Sequence, residues 1–185
     1  MRAAPESHSR ILPVSDMQLP DGLEVIVLLG SISDRAVAEE MLPVFSDFGV
    51  TAHVAVCSAH RDHERLARLI PEAESKGCVS VIAVAGKSAH LPGVCAALTT
   101  MPVIGVPAVN SGIWQDSLYS IVNMPPGIPV ACVGMDAGRN AALLAVQHVA
   151  IGRSELRGKL KDFRDKMRES NRRDSAKLQQ ELSGK

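Results

Sequence analysis

Three short segments of this sequence combine residue types that bind anions and move protons. The first, Gly30-Ser31-Ile32-Ser33-Asp34, lies between an aliphatic run and a helical pattern. Gly30 permits a sharp turn, the hydroxyls can donate hydrogen bonds, and the free N–H groups of a helix start favour negative charge, so a phosphate group fits here. The same pentapeptide also meets the simpler requirement of a helix N-cap at Ser33 or Asp34. The second segment, Ser58-Ala59-His60-Arg61, sets a guanidinium suited to phosphate beside the side chain best able to take and give a proton near neutral pH. The third, Gly86-Lys87-Ser88-Ala89-His90-Leu91-Pro92-Gly93, is a glycine-bounded loop with a second histidine and with Pro92 at the expected first turn of the next helix. Singly, either histidine could be structural. Together the segments describe a site for a small phosphorylated molecule with histidine acid–base chemistry, without naming the substrate.

Several other chemistries find no support. Gly86-Lys87-Ser88 suggests a nucleotide P-loop, but that pattern requires glycine five residues before Gly86, where Val81 stands. No G-x-G-x-x-G follows an aliphatic run, so a dinucleotide site is not expected. Cys57, Cys78, Cys95 and Cys132 are spread through apolar surroundings without a C-x-x-C or clustered histidines. Neither a zinc site nor a disulfide framework is expected, and the thiols should be buried and reduced. A fourth connection, Pro107 to Asp116, is long for a strand-to-helix loop and contains Asn110, Ser111, Gly112 and Trp114. Loops of that length are usually functional, and Trp114 is expected to cover a hydrophobic pocket or meet another subunit.

The elements that must position these segments alternate along the chain. Strands are expected at Val25 to Leu29, Ala52 to Val56, Val79 to Ala85, Val103 to Val106 and Val130 to Gly134, and helices near 35–48, 62–76, 91–100, 117–123 and 139–151. This spacing indicates βαβ units, hence an α/β fold of three layers around a doubly wound parallel sheet, with 2-1-3-4-5 as the expected strand order. Ligands on such sheets bind outside the carboxyl ends of the strands, where the polar segments fall. Residues 1–22, with three prolines and no sustained period, read as a poorly ordered leader, 23–152 as the catalytic domain, and 153–185 as a charged C-terminal helix from Ser154 to Leu182.

At 185 residues, 46% hydrophobic and 22% charged, the chain is long enough for one ordinary globular domain. Phe45, Phe48, Trp114, Tyr119 and Phe163 are the only aromatic residues, so the core must be aliphatic, as a parallel sheet buried on both faces requires. Twenty basic and twenty acidic residues cancel, but residues 153–185 hold eleven basic against six acidic. That interleaving reads as an exposed or intersubunit helix, and no nucleic-acid partner is expected. No apolar run approaches the roughly 18 residues that span a bilayer, and the N-terminus has no signal core, so a soluble, cytoplasmic protein with no membrane partner is expected.

Six segments, in order, closely resemble the bacterial 5-(carboxyamino)imidazole ribonucleotide mutases of de novo purine synthesis: Gly30 to Asp34, Ser58 to Arg61, Ala89 to Gly93, Pro102 to Pro107, Asp116 to Pro125 and Asn140 to Ala145. The resemblance implies flavodoxin-like subunits, homo-octamers with active sites shared between subunits, and an isomerase needing neither metal nor organic cofactor. It implies that Ser31, Ser33, Asp34, Ser58 and Arg61 bind the ribose 5-phosphate and ribose hydroxyls. Ala89, His90 and Leu91 would line the aminoimidazole and carboxylate pocket, with Ala59, Gly86, Lys87 and Ser88 among the substrate-binding residues. His60 would be the proton shuttle, and His90 is grouped with it as catalytic. In the family's proposed mechanism the exocyclic carbamate loses CO2 into a closed pocket and ring carbon 4 attacks it. Two departures stand out. Gly86-Lys87-Ser88 replaces the common Gly-Gly-Ala and is reminiscent of related carboxylases that use free CO2. The loop Val109 to Gln115 is about a residue shorter than usual and carries Trp114. A CO2-dependent carboxylase of the same fold is therefore an alternative reading, and a non-catalytic nucleotide-binding module is a further one.

Overall fold

The computed structural model describes residues 19–109 and 114–184. Five parallel strands form one sheet in the order β2-β1-β3-β4-β5: β1 Val25–Leu29, β2 Ala52–Val56, β3 Ser80–Ala85, β4 Val103–Pro107 and β5 Ala131–Cys132. Seven helices are described: α1 Arg35–Glu39, α2 Leu42–Phe48, α3 His63–Ser75, α4 Leu91–Leu98, α5 Trp114–Val122, α6 Gly138–Gly152 and α7 Glu155–Ser183. The architecture and strand order are those expected from the sequence.

The aliphatic runs explain the layering. Every residue of β1, β3 and β4 is buried, as in a sheet covered on both faces. Successive side chains alternate between faces. Val25, Val27 and Leu29 join a core with Phe45 and Phe48 of α2 and Ala142 and Val146 of α6. Ile26 and Leu28 join the opposite core with Leu66 and Ile70 of α3, Cys95 of α4 and Ile121 of α5. Of the expected leader, Leu19 is buried in this second core and Asp21 pairs with Lys76 at 2.6 Å, while residues 1–18 lie outside the described residues.

Three local departures have physical causes. The helix expected over 35–48 is broken at Glu40 and Met41, because Pro43 has no N–H to return to the carbonyl of Glu39 and its ring crowds that carbonyl. α5 starts at Trp114, ahead of the expected Ser117; buried Ser117 donates its hydroxyl back to the Trp114 carbonyl at 2.9 Å. β5 shrinks from five residues to two, since it is an edge strand pairing only with β4, bounded by Pro129 and by Gly134 at φ 112°.

α7 buries only Leu156 fully, with Leu160 and Phe163 partly packed on the core and the Phe163 ring edge-on to Phe48 at 6.0 Å. Its start is tied to the sheet by Arg153, which donates to Glu24 at 2.9 Å and to the Gly49 carbonyl at 3.1 Å. Among the described residues, no helix is long and apolar enough to cross a membrane.

The contact between α1 and α6 leaves no room at Gly138, where an added Cβ would stand 2.1 Å from the Val37 carbonyl oxygen. Backbone rather than a flexible side chain would have to move. Gly138→Ala is therefore expected to destabilise the fold by about 2 kcal/mol, read as a lower midpoint of denaturant unfolding with an unchanged slope.

Stability should also fall on both sides of neutral pH. Burial lowers the His53 and His148 imidazoles from their ordinary value, with the Arg65 charge adding to the effect at His53. The unfolded chain takes up those protons more readily, so their contribution is complete above about pH 6.5 and is lost as pH falls toward the folded values. Burial pushes the free thiols the other way, Cys78 to about 11 and Cys95 to about 12 from 9.0. Their contribution is present below pH 9.0 and is lost as pH rises through those higher values. Unfolding midpoints measured from pH 5 to pH 10, at about 25 °C, should peak between these limits.

Candidate active site

Because all five strands run in parallel, the segments after β1, β2 and β3 emerge on one edge of the sheet, with that of β1 in the middle. The Gly30 N–H donates to the Val84 carbonyl at 2.9 Å and closes β1 against β3. The chain then enters a single 3-10 turn, Ile32–Asp34, capped by Ser31, and Asp34 stands at the N-cap position of α1 without a side-chain capping bond. The Ser31 Oγ accepts from the Ser33 N–H at 3.3 Å, and the buried Asp34 carboxylate accepts from the Ser31 N–H at 3.0 Å. This reciprocal capping box fixes the turn, and the Ser31 hydroxyl retains its own hydrogen to donate. Asp34 is thus a structural acceptor, 3% exposed, at the base of the turn.

After β2, Arg61 reaches across and donates from Nη2 to the Gly30 carbonyl at 2.7 Å, placing its guanidinium beside the turn with further N–H groups available to an anion. His60 extends over the end of β1 to the segment after β3, where its Nε2 lies 2.7 Å from His90 Nδ1. The rings meet edge to face, 4.9 Å between centroids and 73° between planes. At that distance one ring nitrogen can donate and the other accept, the roles being set by the tautomer, a contact of the kind that acid–base chemistry uses.

The third wall carries a backbone exception. The His90 N–H donates to the Ser88 carbonyl at 2.7 Å, a tight turn, and Lys87 sits at φ 56°, in the left-handed region that costs a non-glycine residue about 1–2 kcal/mol. Lys87 and Asp136 are the only non-glycine residues with positive φ among those described.

These walls enclose a cleft of about 490 Å³, in the range that receives a nucleotide-sized ligand. Ser31, Ser33 and Asp34 form one side; Ser58, Ala59, His60 and Arg61 a second; Gly86, Lys87, Ser88, His90 and Leu91 a third. Of the predicted site residues, Ala89 alone is absent from the wall. It is 1% exposed and packs into the core beneath, where the turn into α4 directs it inward. Gly30, expected to supply the sharp turn, also lines the cleft, and so does Ala85, which sequence reasoning missed although it closes an apolar run at a strand's carboxyl end. Trp114 is not on the wall, and Asn110, Ser111 and Gly112 lie outside the described residues. Among the described residues no group of three or more His, Cys, Asp or Glu is placed to hold a metal ion. His90 also borders a second, apolar groove between α4 and α5, lined in part by Val94, Leu98 and Met124.

Comparison with known proteins agrees with this geometry. The profile of the AIR carboxylase family matches residues 24–170. An N5-carboxyaminoimidazole ribonucleotide mutase of Pyrococcus abyssi is 49% identical over 146 residues, covering 78% of this chain and 84% of the relative. One of Methanocaldococcus jannaschii is 45% identical over 144 residues, covering 78% and 90%. The crystal structure of Treponema denticola PurE superposes with a TM-score of 0.75 at 29% identity, covering 83% of this chain and 97% of that one. Strand order, strand-end segments and sequence identity agree: the chain belongs to the AIR carboxylase family.

Proposed function

We propose that the protein is an N5-carboxyaminoimidazole ribonucleotide mutase, an isomerase that moves a carboxylate from the exocyclic nitrogen of the substrate to ring carbon 4. The observation that carries this reading is the His60–His90 contact, at 2.7 Å, inside a cleft flanked by a capped turn and the Arg61 guanidinium. The turn, through the Ser31 hydroxyl, and Arg61 receive the ribose 5-phosphate; Ser58 and Asp34 lie within reach of the ribose; the loop from Gly86 to Leu91 faces the ring and the carboxylate.

The proton count suits a histidine shuttle. The N–C bond of the carbamate breaks, its electron pair stays on the exocyclic nitrogen, and that nitrogen receives a proton from His60 as CO2 is released. Ring carbon 4 then forms the new C–C bond, one C=O pair becomes the carboxylate charge, and the proton displaced from carbon 4 returns to His60. One proton given and one taken leave the enzyme unchanged; that the reaction needs neither ATP nor a metal or organic cofactor is what the family resemblance implies. His90, bonded to His60, holds the ring and shares the proton.

CO2 must be recaptured before it escapes, which requires water to be kept out. In the single chain His60, Arg61 and Lys87 are exposed. A second copy supplies the cover in this reading: Tyr119 and Val122 are exposed apolar residues on α5, the helix whose Ser120 lines the groove that His90 borders. The protein is therefore a homo-oligomer, with an octamer as the size implied by the family resemblance, working in the cytoplasm on a phosphoribosyl aminoimidazole and on neither nucleic acid nor membrane.

Incubation with the carbamate substrate, without added bicarbonate, tests the reading. The 4-carboxy product should form efficiently and light scattering should report a mass of several chains. Turnover seen only from aminoimidazole ribonucleotide at high CO2 would overturn it in favour of the carboxylase, the reading that Gly86-Lys87-Ser88 keeps in play. Ligand binding without any turnover would favour the non-catalytic module.

A further inference from the structure

Lys87 combines three properties. It lines the cleft on the loop that carries His90, three residues before it. Its backbone is held at φ 56°, where glycine would sit without strain. Lys87 is exposed and, among the described residues, its ammonium has no hydrogen-bond or ion-pair partner, whereas the other cation of the cleft, Arg61, is tied to the Gly30 carbonyl. Backbone strain of this kind persists where surrounding structure enforces it, and it collects at functional sites.

The substrate class proposed above has two anions with different demands. The phosphate stays in one place, and a planar guanidinium anchored beside the turn suits it. The carboxylate changes place during the reaction, from nitrogen to carbon 4, and passes through uncharged CO2. A lysine, with a compact charge on a flexible four-carbon stem, can follow it. When CO2 forms, the ammonium loses its ionic partner. When carbon 4 attacks, negative charge returns to a CO2 oxygen and the ammonium stabilises it as it develops. A cation so placed favours recapture over escape.

We propose that Lys87 is a specificity-determining residue that holds the migrating carboxylate and sets the partition of CO2 between transfer to carbon 4 and loss to solvent. The proposal rests on the mutase reading.

The test uses substrate carrying a 13C-labelled carbamate in excess unlabelled bicarbonate, with the enzyme-free loss of CO2 subtracted. Two quantities are read: label retained in the 4-carboxy product, and free aminoimidazole ribonucleotide released per turnover. The wild type should retain its label. K87M, which keeps the stem, and K87G, which also frees the backbone, should raise loss of label about tenfold, while K87R, which keeps the charge on a planar head, restores retention only in part. Competition by ribose 5-phosphate should be unaffected in K87M, and the melting temperature of K87G should be no lower than that of the wild type. This separates lost charge from lost structure.

If the wild type converts the carbamate and K87M and K87G retain label as well as it does, the role of Lys87 is overturned while the mutase reading survives. Weaker ribose 5-phosphate competition in K87M with label retained would also overturn it, placing the ammonium on the phosphate instead. A wild type that does not convert the carbamate defeats the mutase reading, and the Lys87 role in it falls with it.

Discussion

His60→Asn is expected to lower kcat by about 10²–10⁴-fold, with little change in KM. Asparagine retains a polar group near the position of the imidazole edge, so the contact with His90 Nδ1, now 2.7 Å from His60 Nε2, can be kept in part. What it loses is the ability to carry a proton away from carbon 4 and return one to the exocyclic nitrogen. In the proposed site the phosphate and ribose contacts fall to other segments, so equilibrium binding of the product should survive. Steady-state kinetics with a parallel binding titration check this. A kcat within tenfold of the wild type would remove His60 from the proton path.

Arg61→Met carries the second largest effect. The side chain keeps its length and apolar stem, but the charge beside the Gly30 turn disappears, along with the hydrogen bond to the Gly30 carbonyl. A charge-assisted contact to phosphate is worth about 1.5–3 kcal/mol, so kcat/KM should fall by roughly 10–100-fold. Part of that loss should appear in kcat, because binding energy at the phosphate helps to hold the ring against the histidines. Inorganic phosphate and ribose 5-phosphate should weaken as competitors by a similar factor. An unchanged inhibition constant for both would place the phosphate away from Arg61.

The parts of this site that are legible in the sequence are those governed by topology. A parallel sheet presents its carboxyl ends on one edge, so polar segments after Leu29, Val56 and Ala85 are bound to meet, and the cleft contains them. The near-continuous apolar runs of β1, β3 and β4 mark the central strands for the same reason. What sequence could not give is the detail set by strand order and local turn geometry. His60 meets His90 because β1 lies between β2 and β3 and both side chains reach over its end. Ser31 caps the turn, with Asp34 closing the box, because the chain leaves β1 still extended, at φ −153°. Ala89 points into the core because the turn closed by the His90 N–H and the Ser88 carbonyl rotates the residue between them inward. The break before α2 was legible in principle, since Pro43 cannot continue the helix that precedes it.

In the proposed function one cleft at the ends of β1, β2 and β3 holds the phosphate on the Ser31 turn and the ring against the histidine pair. A crystal structure with the 4-carboxy-5-aminoimidazole ribonucleotide product bound tests it most directly. Phosphate oxygens are expected within hydrogen-bond distance of the Ser31 hydroxyl and the Arg61 guanidinium, with carbon 4 and its carboxylate facing His60 and Lys87. A ribonucleotide seated in the groove between α4 and α5, or lying in the cleft with its phosphate against the histidines, would contradict it.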